Sequence, residues 1–97
     1  MDRREEICIK ELHAVLAEFD SSEYSLNGEK DSAVCIEKMD TDWGVYECER
    51  AAKYDIHIYS NIVEACLDVI KRLAYSDDLR RLTNIFLDAI MQIKIAS

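Results

Sequence analysis

From Arg3 to about Phe19 the apolar residues Cys8, Leu12, Val15, Leu16 and Phe19 recur at helical steps, with charged residues between them. That spacing places them on one stripe of an amphipathic helix. Asp20-Ser21-Ser22 then breaks the period with side chains that compete for backbone hydrogen bonds. Tyr24-Ser25-Leu26 predicts a short strand, followed by the turn dipeptide Asn27-Gly28. Ser32 to Met39 and Trp43 to Arg50 are rich in strand-forming residues and flank Asp40-Thr41-Asp42, which reads as a hairpin. Tyr54 to Tyr59 sets Tyr54, Ile56 and Ile58 against Asp55, His57 and Tyr59, the alternation of a strand wet on one face.

Asn61, with Glu64 three residues on, resembles an N-cap with its reciprocal acid, and Ile62, Cys66, Val69, Ile70 and Leu73 form the helical stripe behind it. Ser76 or Asp77 caps a last helix in which Leu79, Leu82, Phe86, Ala89, Ile90 and Ile93 keep the period, and Asp77 and Asp78 suit its dipole. No stop signal follows at Ile95. The prediction is an α+β fold. A small antiparallel sheet of three or four strands lies between an N-terminal helix and two C-terminal helices, as one domain over residues 1–97.

Two hairpin registers are open, and a slip of one residue exchanges the faces. With a three-residue loop Met39 faces Trp43; Val34, Ile36, Tyr46 and Cys48 then share one face, and Glu37, Val45, Glu47 and Glu49 the other. With a two-residue loop Val34 and Ile36 join Trp43 and Val45, while Glu37 joins Tyr46 and Cys48. The first gives the cleaner polarity split and is preferred.

Charge adds the first functional information. The chain has 20 acidic and 12 basic residues, a net charge of -8. Between Glu18 and Glu49 ten acids meet only Lys30 and Lys38, so 2 - 10 = -8, and the remaining ten acids and ten bases cancel. Direct binding to nucleic acid or to an anionic membrane needs a basic footprint, so neither is expected; a basic protein is the natural complement. The charged start Met1-Asp2-Arg3-Arg4-Glu5-Glu6 and the lack of a long apolar run indicate no export or membrane insertion. A cytoplasmic location follows, with reduced thiols at Cys8, Cys35, Cys48 and Cys66.

Catalytic and cofactor motifs are missing. The four cysteines form no C-x-x-C pair, His13 and His57 are isolated, and Gly28 and Gly44 are too few for a phosphate-cradling loop. Asp40, Asp42, Glu47 and Glu49 lack the glycine and the spacing of a calcium loop, so they read as a solvated acidic face. Neither a metal nor another cofactor is expected. The expected partner-binding residues are Glu23, Glu29, Asp31, Glu37, Asp40, Asp42, Glu47 and Glu49, with Trp43 as an aromatic anchor among them. Trp43 could equally cap the core. The two C-terminal helices are then scaffold.

The run Asp42-Trp43-Gly44-Val45-Tyr46-Glu47-Cys48-Glu49-Arg50, then Lys53 and Glu64-Ala65-Cys66, resembles small acidic immunity proteins of bacterial polymorphic toxin systems of the contact-dependent inhibition type. Tyr24-Ser25-Leu26 and Ala33-Val34-Cys35-Ile36-Glu37 extend the resemblance to about half the chain. It departs at Ala51-Ala52, where that pattern usually places a glycine after the arginine. The resemblance implies a protein that binds one cognate toxin domain, often a basic nuclease, at its active site or at an exosite. Two other functions are open: an acidic mimic of nucleic acid acting on a DNA-binding protein or defence nuclease, and a thiol enzyme using Cys48.

Overall fold

The computed structural model describes the backbone of residues 2–96 and the side chains of residues 2–92, so Ile93 and Ile95 lie outside the described side chains. Helix α1 spans Arg3–Val15 and begins at a capping box: Asp2 Oδ1 accepts from Glu5 N at 2.8 Å, and Glu5 Oε1 accepts from Asp2 N at 3.2 Å. Its stripe buries Cys8, Leu12 and Val15, and a 3-10 turn over Leu16–Glu18 buries Leu16. A second 3-10 turn, Ser21–Glu23, leads into β1, Tyr24–Ser25.

β2 (Ala33–Met39), β3 (Asp42–Glu49) and β4 (Ala52–Tyr59) follow, in the spatial order β1-β2-β3-β4. β2, β3 and β4 are antiparallel neighbours, whereas β1 pairs with β2 in parallel, so the sheet is mixed. α2 (Ile62–Leu73) is capped by Asn61, whose side chain accepts from Val63 N at 2.7 Å; α3 runs over Ser76–Ala96. The chain is thus α+β as expected. All three helices lie on one face of the sheet: α2 packs on β2 and β3, and α1 and α3 close against α2.

The preferred three-residue hairpin register is overturned. Met39 pairs with Asp42, Lys38 with Trp43 and Ile36 with Val45, leaving a two-residue loop, Asp40-Thr41, with Asp40 at φ 59°. Val34, Ile36, Trp43 and Val45 therefore face the helices and belong to the main core. The polarity split misled because both faces of the hairpin bury side chains. On the second face Ala33, Cys35, Tyr46 and Cys48 form a smaller cluster. The segment before β2 lies across it: Gly28 N donates to Ile36 O at 3.2 Å, Ser32 N donates to Cys48 O at 2.8 Å, and Cys35 Sγ lies 3.6 Å from Lys30 O. Gly28, at φ 107°, makes the bend that passes over Glu37.

The β3-β4 connection is also two residues, Arg50 at φ 51° and Ala51 at φ 64°. Two left-handed residues are what a type I′ hairpin turn requires. Within β4 a bulge at Asp55, φ 51°, interrupts the pairing between Val45 and Glu47. It also breaks the predicted alternation: Tyr54 pairs with Glu47 and His57 with Val45 on the helix side, while Ile58 pairs with Gly44, so Ile56 and Ile58 point away from the helices.

Candidate functional site

The helix-free face of β2–β4 is the most distinctive surface. Gly44 has no side chain there, so Met39 lies in the space a Cβ would fill, and Ile58 closes the strip from β4. Ile56 and Ile58 remain 46% and 54% exposed. Covering the open half of each would contribute ~1 kcal/mol. Beside them Glu37 accepts from Tyr46 Oη at 2.6 Å and lies 3.5 Å from Lys53 Nζ, which sits 4.8 Å from the Tyr46 ring centre. Burial, and then the Glu37 carboxylate, push the Tyr46 hydroxyl above its ordinary pKa, so it is a donor at any physiological pH.

The expected site residues do not form one patch. Glu23 closes a capping box, accepting from Asp20 N at 3.2 Å near β1. Asp31 accepts from Arg50 N beside the β3-β4 turn. Glu29, on the segment crossing the second face, is exposed, and Glu47 and Glu49 are exposed at the end of β3. Glu47 and Glu49 line, together with Ser32 and Tyr54, a cleft of about 400 Å³. Asp40 and Asp42 lie at the opposite end, on the hairpin tip. Along the eight residues of β3 the two groups are ~23 Å apart, well beyond the ~8 Å screening length of physiological salt. They act as separate acidic rims at the two ends of β3, with Glu47 and Glu49 on its helix side. The carboxylates of Glu29, Asp40, Asp42 and Glu49 have no cationic partner among the described residues.

Trp43 is a correction. It is 1% exposed in the main core and cannot touch a partner. Its indole Nε1 donates to Glu5 Oε2 at 2.5 Å, and the same oxygen lies 2.6 Å from Lys38 Nζ. A buried indole N–H needs an acceptor. Lys38 first, then Trp43, hold the Glu5 carboxyl at a pKa of about 2, against an ordinary 4.5.

On the helix side a cleft of about 540 Å³ opens between β4 and α2. Asp68 accepts from Tyr59 Oη at 2.7 Å and from Arg72 Nε at 3.0 Å, and Arg72 Nη2 donates to the bulged Asp55 carbonyl at 2.7 Å. Arg72 Nη1 has no hydrogen-bond acceptor and lies 3.7 Å from Glu47 Oε2. With two donors on it, Asp68 is a strut fixing the bulge to α2. Glu64 lines the same cleft and does not return to cap its helix.

Cys48 is 3% exposed, and burial pushes its thiol above the ordinary pKa; burial does the same to Cys8, Cys35 and Cys66. Such thiols are weak nucleophiles at neutral pH. Among the described residues no group of three or more His, Cys, Asp or Glu side chains is placed to hold a metal ion. Among the same residues no helix is long and apolar enough to cross a membrane. The open strip was missed in the sequence because the alternation in β4 was visible but its orientation was not. Comparison of the chain with protein-family models, with curated proteins and with solved structures finds no match.

Proposed function

We propose that this chain is a protein-binding inhibitor, an immunity protein that neutralises a basic toxin domain, most naturally a nuclease, in the cytoplasm of the cell that makes it. The observation that carries the proposal is the open sheet face, where half-exposed Ile56 and Ile58 lie between two acidic rims in which Glu29, Asp40, Asp42 and Glu49 have no cationic partner among the described residues. Apolar anchors with charge around them suit capture of a partner of opposite charge: the rims speed encounter, and the desolvated centre holds the complex.

Size decides how much of the surface must take part. Strands β2–β4 span ~23 Å by ~10 Å, so the part left uncovered is below ~230 Å², where a stable interface takes ~800 Å² from each partner. The Asp40-Thr41 tip, the segment crossing the second face and the Arg50-Ala51 turn must therefore contribute, and with them both acidic rims. A surface that had evolved to hold phosphates on the partner would meet carboxylates there.

The test is co-expression with the product of the adjacent upstream gene. Protection from its toxicity and a stable complex are expected, and a neighbour that is harmless, or stays toxic, would end the proposal. Asp42→Lys and Glu49→Lys should each slow association several-fold and flatten its salt dependence. Equal binding to several unrelated basic proteins in competition with DNA would instead indicate a nucleic-acid mimic.

A further inference from the structure

The two edges of the sheet differ. β1 closes one side with two residues, Tyr24–Ser25, a length that offers almost no backbone to a foreign strand. β4 forms the other side over eight residues, and Lys53 to Ile58 are all exposed. Among the described residues nothing pairs with its outer edge. An open edge of that length is normally blunted by charge, proline or a bulge. Here the bulge occupies one position only. Its Asp55 carbonyl is already taken by Arg72, which leaves Ile56–Tyr59 as a regular stretch with a defined start.

The two sides of that stretch differ in chemistry. Outward lie Ile56 and Ile58, half exposed, with Ile58 and Met39 meeting over Gly44. On the helix side lies the cleft with Asp55, Glu64 and Asp68; with Glu47 beside it, four carboxylates face only Lys71 and Arg72 as permanent cations, and Glu64 has no ion pair among the described residues. A strand laid along β4 would present alternate residues to these two sides. A second copy would bring two such clefts of surplus negative charge together, which disfavours self-pairing.

We infer that β4 is an acceptor edge for an extended segment of the partner, with apolar residues over Ile56 and Ile58 alternating with lysine or arginine over Asp55 and Glu64. The inference rests on the proposed function for the identity of the partner as a basic protein. The backbone bonds would supply adhesion common to any strand, and the two-sided pattern would supply selectivity.

The probes are three labelled peptides: an alternating Lys-Val-Lys-Val-Lys-Val, the block isomer Lys-Lys-Lys-Val-Val-Val, and the alternating peptide N-methylated on the residues whose amides would face β4. Fluorescence anisotropy gives affinity, and hydrogen exchange reads the amides of residues 56–59. The alternating peptide should bind about tenfold tighter than either comparator and slow exchange across that stretch by about tenfold. Glu64→Lys and Ile56→Lys, both at exposed positions, should each remove about tenfold of that affinity. Equal binding of the block isomer without protection of β4, or a free protein that sediments as a dimer with β4 already protected, would overturn the inference. Capture of the adjacent gene's product by a chain that ignores all three peptides would leave the proposed function standing and remove the acceptor edge; the opposite pattern would do the reverse.

Discussion

Replacing Glu5 by glutamine removes the charge that joins the start of α1 to the tip of the β2-β3 hairpin. The carboxylate meets Lys38 Nζ at 2.6 Å and Trp43 Nε1 at 2.5 Å, and its pKa falls from 4.5 to about 2. At ~1.4 kcal/mol for each tenfold change in acidity, that fall corresponds to at most ~3.5 kcal/mol. Lys38 is one third exposed, so solvent screening reduces the contribution to about 1.5 kcal/mol. Glutamine keeps an acceptor for the indole, so the lost part is mainly the ion pair. Because the folded pKa lies below the unfolded one, the stabilisation is complete above about pH 5 and is lost as the pH falls through 4.5 towards about 2. Urea unfolding of wild type and Glu5→Gln should therefore differ by about 1.5 kcal/mol at pH 7, with the gap closing steadily between about pH 5 and pH 2. The other carboxylates titrate in both proteins and cancel in the difference. A gap that does not change with pH, or no gap at pH 7, would refute the assignment.

Three further outcomes test other parts of the fold. Ala51→Gly should stabilise the protein by ~0.5–1 kcal/mol in the same assay, since Ala51 sits at φ 64° in a turn that favours glycine; a loss of stability would contradict the turn. Tyr46→Phe should cost about 1.5 kcal/mol, since the hydroxyl donates to the Glu37 carboxylate from a buried ring, and an unchanged unfolding midpoint would show that bond to be immaterial. All four thiols should resist alkylation at neutral pH in the native state and react after unfolding, because each cysteine is buried. Rapid labelling of Cys48 in the folded protein would reopen thiol chemistry.

Local periodicity made the helices and strands legible. Leu12 and Phe86 both proved to be core, and Asn61 caps α2 as its position suggested. The α+β order needed nothing more. What the pattern could not supply was orientation across the sheet. Tyr46 and Trp43 are both large enough for a core, and each found one on its own side, because the segment before β2 covers the face that a polarity count would leave to solvent. The Asp55 bulge inverted the reading of β4 for a related reason: one extra residue moved Tyr54 to the helix side and turned Ile56 and Ile58 outward. Glu5 joins Trp43 from 38 positions away, and Arg72 reaches Asp55 from 17. Neither link has a local signature. Of the expected site, Asp40 at one end of β3 and Glu47 and Glu49 at the other are exposed, but Trp43 is removed from it and Ile56 and Ile58 take its place. The glycine missing after Arg50 was a visible departure in the sequence, and it falls on one of the two left-handed residues of that turn, where its absence carries strain.

The most direct measurement is the affinity of the adjacent gene's product for wild type and for the double variant Ile56→Asp/Ile58→Asp. Two covered half-side-chains at ~1 kcal/mol each, plus carboxylates forced into a desolvated centre, amount to at least ~3 kcal/mol, or about 100-fold in Kd. Both positions are exposed in the free protein, so the melting curve should hold while binding falls by about 100-fold or more. Undiminished affinity in a folded double variant would contradict the open sheet face as the binding surface.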